Sequence, residues 1–130
     1  MPLTHDTRLR LVFGASGYIG TYLVPYLLAA GVAAVRVSSR NPRSLEARNW
    51  PGVEIVGADA LEPASLPAAL AGVSIAYYLV HSMGAGKEFG RLDLEAAANF
   101  AAAAAAAGVE RICYLGGLVP EAGATEHIVS

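Results

Sequence analysis

Apolar residues along this chain fall into short continuous runs that alternate with longer segments of helical spacing. Short apolar runs bounded by glycine, proline or asparagine are typical of strands buried on both faces of a parallel sheet. The pattern predicts five strands, at Leu9–Phe13, Ala33–Ser39, Val53–Gly57, Val73–Val80 and Arg111–Leu115. Between them it predicts helices at Ile19–Ala30, Arg43–Arg48, Pro63–Leu70 and Lys87–Ala107. This alternation indicates an α/β fold, a doubly wound parallel sheet of strand order 3-2-1-4-5 with right-handed crossovers and helices on both faces.

The first strand leads directly into a glycine-rich turn and a helix. Gly14, Gly17 and Gly20 follow the spacing G-x-x-G-x-x-G, which favours a tight turn, a close approach of backbone to phosphate and close packing of helix on strand. Amides at the start of a helix have no carbonyl partner and therefore favour an anion. The amides expected to face it are those of Ser16, Gly17, Tyr18 and Ile19. Strand, turn and helix together indicate a Rossmann-type dinucleotide site, with an ordinary strand-turn-helix corner as the alternative.

The end of the second strand indicates which dinucleotide is favoured. NAD sites commonly place Asp or Glu there for the ribose hydroxyls, whereas this chain has Ser39 and Arg40. A guanidinium pairs with the 2′-phosphate of NADP in a fork geometry, and the Ser39 hydroxyl assists it. The sequence therefore favours NADP(H) over NAD(H), with an exposed surface arginine as the alternative for Arg40. Arg40 is part of a basic run with Arg36, Arg43 and Arg48. This run is either a solvated face or a site for a phosphate-bearing cofactor.

Composition and charge exclude several classes of function. The chain is 55% apolar with a net charge of −2, which fits a buried core and gives no electrostatic footprint for nucleic acid. No apolar run approaches the roughly 18 residues of a membrane span, and the first eight residues hold no signal-peptide core. Cys113 is the single cysteine, so a reducing compartment is allowed. We expect one domain, residues 1–130, located in the cytoplasm and binding neither nucleic acid nor membrane.

Four segments together resemble the atypical short-chain dehydrogenase/reductases, the NAD(P)-binding group that includes the NmrA-like proteins. They are Gly14–Gly20, Ser39–Pro42, Gly57–Ala60 and Tyr78–Met83. The likeness continues through the long helix as far as Gly117, so it spans most of the chain.

The resemblance implies roles for residues that follow the third and fourth strands. Asp59 would accept a hydrogen bond from the adenine amino group, with Ala60 beside the ring. A helix or turn cap before Pro63 is the alternative for Asp59. Val80 and His81 would line the ribose and nicotinamide, and direct acid–base chemistry by His81 is the less favoured alternative.

The residues that carry catalysis in the wider superfamily are not visible in this sequence. Its reductases place a serine at the end of the fifth strand and Tyr-x-x-x-Lys in the next helix, where the lysine lowers the tyrosine pKa. Here the fifth strand ends in Gly116 and Gly117, and no tyrosine has a lysine four residues later. Either the protein lacks this machinery, or the machinery follows Ser130. The single turn of chain after Thr125 favours the second explanation, so we expect the N-terminal part of a longer protein and a truncated fold.

Two functions stay open. The first is the NADP(H)-binding domain of an atypical reductase that transfers hydride to or from a small organic substrate. The second is a non-catalytic NADP(H)-sensing or structural subunit. An apolar fifth strand at the edge of the sheet, together with the alanine-rich helix, also predicts self-association. No residue is assigned a catalytic role, and no metal site is expected.

Overall fold

A computed structural model of the chain describes residues 7–80 and 87–114. Its strands are β1 (Leu9–Phe13), β2 (Ala34–Ser39), β3 (Glu54–Gly57), β4 (Val73–Tyr78) and β5 (Arg111–Tyr114). Its helices are α1 (Tyr18–Ala29), α2 (Pro42–Glu46), α3 (Leu66–Leu70) and α4 (Lys87–Ala107), with a short 3₁₀ turn, Pro63–Ser65, before α3. The strands form one parallel sheet of order β3-β2-β1-β4-β5, which confirms the predicted topology.

Helices cover both faces of this sheet. Leu11 and Phe13 of β1 belong to a core cluster that includes residues of α3 and α4. Val12, between them, belongs to a second cluster with residues of α1 and α2. Because successive side chains of a strand point to opposite faces, β1 is apolar at consecutive positions. The doubly wound, Rossmann-type arrangement is therefore confirmed.

The strand register aligns the carboxyl ends of all five strands. Phe13 pairs with Ser38 of β2 on one side and with Tyr78 of β4 on the other. The row continues outward to Val56 of β3 and Tyr114 of β5. The connections that leave these ends meet at one edge of the sheet, where the chain order reverses between β1 and β4. Ligands of doubly wound sheets bind at this switch point.

Some predicted boundaries are wrong. β4 ends at Tyr78 rather than Val80. The Leu79 amide still donates to the Phe13 carbonyl at 2.9 Å, but β1 ends at Phe13, so beyond this bond β4 has no neighbouring strand on that side. The predicted helix Pro63–Leu70 is divided into the 3₁₀ turn and α3. Pro67 lies at the start of α3, where its missing amide is tolerated.

Arg36 of β2 is turned away from the carboxyl edge and supports the fold. Its Nε donates to Oε1 of Glu54 at 2.9 Å, and its side chain is only 10% exposed. Its Nη1 donates to the carbonyls of Ala69 at 2.7 Å and Ala71 at 2.9 Å. These are carbonyls at the end of α3, which have no partner within the helix. The interpretation of the basic run as a phosphate site is therefore wrong for Arg36, because α3 occupies its guanidinium.

Candidate functional site

The glycine turn begins where β1 ends, and it is held against β2. Gly14 has a φ of +88°, which favours glycine. A Cβ on Gly14 would lie 2.9 Å from Cγ2 of Val80, so the close packing of these two connections also requires glycine. The amides of Gly14 and Ala15 donate to the carbonyl of Ser38 at 2.9 and 3.0 Å. The turn therefore has a fixed position relative to the end of β2.

The N-terminus of α1 is open towards this edge. Gly17 is the N-cap residue, and no side chain caps the helix. The amides of Tyr18, Ile19 and Gly20 lie in the first turn, where a helix offers no carbonyl acceptor. Tyr18 is 78% exposed, and its backbone amide is the first of the helix. An uncapped helix start beside the open position of Gly17 fits a bound anion such as a pyrophosphate.

The end of β2 lies beside this turn. Ser39 is buried, and its hydroxyl donates to the Ser16 hydroxyl at 3.3 Å while accepting the Asn41 amide at 3.1 Å. Arg40 is exposed, and its side chain forms no hydrogen bond or ion pair with the described part of the chain. Ser16 and Ser39 are thus brought together, and the exposed Arg40 directly follows Ser39 in the sequence.

Arg48 contacts this site in a way that sequence reasoning missed. The basic run indicates either a solvated face or a phosphate site for it, whereas in the structure its Nη2 donates to the Ser16 carbonyl at 3.2 Å. Its Nη1 donates to the Thr21 hydroxyl of α1 at 2.7 Å. Positive charge was the only sequence signal, because neither partner is near Arg48 in the chain.

The connection after β3 forms the next part of the edge. Oδ1 of Asp59 accepts the Leu61 amide at 2.9 Å, which is the turn-cap role considered as an alternative. This role occupies one carboxylate oxygen, so it is compatible with a further hydrogen bond at the other. Ala60 is buried, and its carbonyl accepts Nδ2 of Asn99 at 2.8 Å. Asn99, which was given no role from the sequence, thus fixes this connection to α4.

The remaining predicted site residues lie at the end of β4. Val80 is half-buried and packs beside Gly14. His81 lies outside the described residues, as do Gly116 and Gly117. The structure therefore brings the glycine turn together with the ends of β2 and β4.

Tyr78 is the buried tyrosine nearest this edge. Its ring stacks on Phe13 at 5.7 Å and lies against Phe100 at 4.8 Å between centroids. Burial raises the pKa of Tyr78 well above its ordinary value of 10, and the Asp93 carboxylate raises it further. The phenol therefore keeps its proton at neutral pH. This is the opposite of the lowered tyrosine pKa that a phenolate base requires.

In residues 7–80 and 87–114, no group of three or more His, Cys, Asp or Glu side chains is placed to hold a metal ion. None of the helices described here has the length and apolar character needed to cross a membrane.

Comparison with known families gives one match over most of the chain. The family model described as NAD(P)H-binding matches residues 14–126, which include the glycine turn and the ends of β2, β3 and β4. No curated protein sequence gives a significant match.

Solved structures with a similar fold include the triphenylmethane reductase of Citrobacter sp. One structure of it is 29% identical, with a TM-score of 0.75 over 92% of this chain and 44% of the reductase. A second, complexed with NADP(H), is 32% identical, with a TM-score of 0.67 over 81% of this chain and 36% of the reductase.

A short-chain dehydrogenase/reductase superfamily protein from Agrobacterium tumefaciens, with bound NAD, is also similar. It is 25% identical, with a TM-score of 0.65 over 82% of this chain and 31% of that protein. This chain thus spans less than half the length of each of these three structures. One of them holds NADP(H) and another NAD.

Proposed function

We propose a function from one premise: this chain belongs to the NAD(P)H-binding family, whose model matches residues 14–126. Residues 1–130 form the cofactor-binding domain of an atypical short-chain dehydrogenase/reductase, the N-terminal part of a longer protein. That protein transfers hydride between NADP(H) and a small organic substrate. The observation that carries the proposal is the uncapped start of α1 beside the glycine turn, at the switch point of the sheet.

The glycine turn and the start of α1 bind the pyrophosphate in this proposal. Gly14 and Gly20 fix the shape of the turn, because a Cβ at either position would collide with neighbouring atoms. A Cβ at Gly17 would meet only the Gly14 carbonyl oxygen at 3.7 Å, so this position leaves room for phosphate. The amides of Ser16, Tyr18 and Ile19 supply hydrogen-bond donors, and the helix dipole favours the negative charge.

The adenosine half lies along the ends of β2 and β3. Arg40 pairs with the 2′-phosphate, and the buried Ser39 hydroxyl lies beside it. Asp59 accepts the adenine amino group with the carboxylate oxygen that does not cap the turn, and Ala60 packs beside the ring.

Val80 lines the ribose and nicotinamide, and the proposal assigns the same role to His81. When bound, the nicotinamide supplies the hydride chemistry, and the protein orients it and excludes water. Tyr78 keeps its proton at neutral pH and therefore serves as packing rather than as a base. No observation on the described residues favours the non-catalytic alternative over a reductase.

Titration with NADPH and NADH tests the proposal and the role of Arg40. We expect the wild-type protein to bind NADPH more tightly, because the exposed guanidinium meets the 2′-phosphate. Arg40→Ala removes a charge-assisted pair worth about 1.5–3 kcal/mol, so NADPH affinity falls roughly 10- to 100-fold while NADH affinity is unchanged. Arg111→Met, at the amino end of β5 and far from the site, is the matched control. Equal binding of both cofactors to the wild-type protein would remove the role of Arg40, and binding of neither would refute the site.

Self-association and a cytoplasmic location are further parts of the proposal. β5 is an outer strand of the described sheet, and such an edge offers free backbone groups to a second chain. α4 buries Ala96, Phe100 and Ala104 against the core, while Leu94 on its outer side is 74% exposed. We expect a dimer or larger species in light scattering, and a monodisperse monomer at high concentration would contradict this part of the proposal.

A further inference from the structure

We infer that Arg48 is a positioning residue for the anion site: it holds in place the two peptide units that form the start of α1. The inference rests on the proposed function, and it concerns a residue outside the glycine motif and outside the strand end that selects the cofactor. Arg48 follows α2 in the connection to β3, so it reaches the site from a third segment of chain.

The first contact is direct. Nη2 of Arg48 donates to the Ser16 carbonyl at 3.2 Å. This carbonyl belongs to the same planar peptide unit as the Gly17 amide, which closes the glycine turn by donating to the Gly14 carbonyl at 3.3 Å. Because the C=O and N–H of a trans peptide point in opposite directions, a hydrogen bond that holds the carbonyl also sets the direction of the amide.

The second contact passes through Thr21. Nη1 of Arg48 donates to the Thr21 hydroxyl at 2.7 Å, and that hydroxyl donates to the Gly17 carbonyl at 3.2 Å. The Gly17 carbonyl shares its peptide unit with the Tyr18 amide, the first amide of α1. One guanidinium thus restrains two consecutive peptide units, at the helix end that has no side-chain cap.

Trp50 holds the guanidinium in its orientation. The central carbon of the Arg48 guanidinium lies 5.6 Å from the centroid of the Trp50 ring, within cation–π distance. Trp50 in turn packs against the core cluster beneath α1 and α2. A planar fork on an aromatic platform presents its two donors in fixed directions, which a lysine ammonium does not reproduce.

Loss of Arg48 therefore affects the phosphate cradle that all nicotinamide dinucleotides share. We expect Arg48→Met to raise the dissociation constants for NADPH and NADH by about the same factor, roughly 10-fold, with their ratio unchanged. We expect Arg48→Lys to recover less than a third of the loss, because it restores the charge without the fork. Thr21→Val, which removes the intermediate hydroxyl and keeps the side-chain size, should weaken both cofactors in the same direction.

The experiment is a titration of the intact chain with both cofactors, combined with urea unfolding of each variant. Arg111→Met is the control for loss of one positive charge. A loss confined to NADPH would overturn the inference, because it would make Arg48 a direct partner of the 2′-phosphate. Unchanged affinity for both cofactors would also overturn it, whatever the change in stability, since Arg48 would then only join parts of the fold. If the wild-type chain binds but Arg48→Met binds equally well, the inference alone fails; if the wild-type chain binds neither cofactor, the proposed function fails first.

Discussion

Gly17 and Gly20 differ in what alanine would do to them, although both belong to the same motif. A Cβ at Gly20 would contact the carbonyl oxygen of Ala15 and lie 2.7 and 2.8 Å from its carbonyl carbon and Cα. Backbone atoms at such short distances must move apart. Alanine gains about 1 kcal/mol in helix propensity over glycine, but overpacking costs about 3 kcal/mol when backbone has to shift. We expect Gly20→Ala to lower the free energy of unfolding by about 2 kcal/mol.

Gly17→Ala meets no such obstacle in the folded chain. Its Cβ would lie 3.7 Å from the Gly14 carbonyl oxygen, an ordinary contact, and its φ of −79° suits any residue. Alanine in place of glycine at an N-cap costs less than about 1 kcal/mol. The methyl group would, however, occupy space at the open start of α1. One lost charge-assisted hydrogen bond to phosphate, worth about 1.5–3 kcal/mol, weakens binding roughly 10- to 100-fold.

Two measurements separate these effects. Urea unfolding followed by far-UV circular dichroism gives the free energy of unfolding, and fluorescence titration gives the dissociation constants for NADPH and NADH. We expect Gly17→Ala to keep nearly all its stability and lose affinity for both cofactors, whereas Gly20→Ala loses stability. The reasoning is refuted if Gly17→Ala binds both cofactors as the wild type does, or if it is destabilised as much as Gly20→Ala.

Three further substitutions test the fold around the site. Arg36→Met leaves carbonyls at the end of α3 without donors, so we expect urea unfolding to show a free energy of unfolding lower by about 2–4 kcal/mol. The exposed Arg43→Met is the control and should lower it by less than about 0.5 kcal/mol. Equal effects would contradict the role of Arg36. Ser38→Ala removes a fully buried hydroxyl that has no hydrogen-bond partner among the described residues, so stability should rise by about 1 kcal/mol, and a loss would reveal an unseen partner. Because the pKa of Tyr78 is raised in the folded state, its contribution is present below pH 10 and is lost as the pH rises further. The stability difference between wild type and Tyr78→Phe should therefore fall from pH 9 to pH 11, and a constant difference would contradict the raised pKa.

The topology was predictable because its signals are local and the rules that join them are few. Continuous apolar runs such as Leu9–Phe13 indicate strands buried on both faces, and right-handed crossovers then leave few possible orders. The end of β4 was not predictable in the same way. Val80 continues the apolar run, but the strand ends at Tyr78 because its neighbour β1 turns away at Gly14.

The residues of the site also differ in whether they could be predicted from the sequence. Gly14 and Gly20 were identified because a turn and a close helix packing impose their requirement within a few residues of chain. Arg48 and Asn99 were missed because their hydrogen bonds join positions 32 and 39 residues apart. The basic run gives Arg48 no signal beyond its positive charge, and nothing in the sequence around Asn99 indicates its partner. Such partners become visible only when the fold brings the segments together.

Arg40 and Arg48 are expected to have separable effects on cofactor binding. Arg40 would contact only the 2′-phosphate, so its loss changes the preference between NADPH and NADH. Arg48 restrains the turn that binds the shared pyrophosphate, so its loss changes affinity for both. Within residues 7–80 and 87–114, the side-chain link between these two parts of the site is the contact of the Ser16 and Ser39 hydroxyls, a long hydrogen bond at 3.3 Å. Weak coupling predicts that the binding losses of Arg40→Ala and Arg48→Met add to within about 0.5 kcal/mol for NADPH in the double variant. A double variant that is no weaker than Arg40→Ala would show instead that both arginines act on the same phosphate.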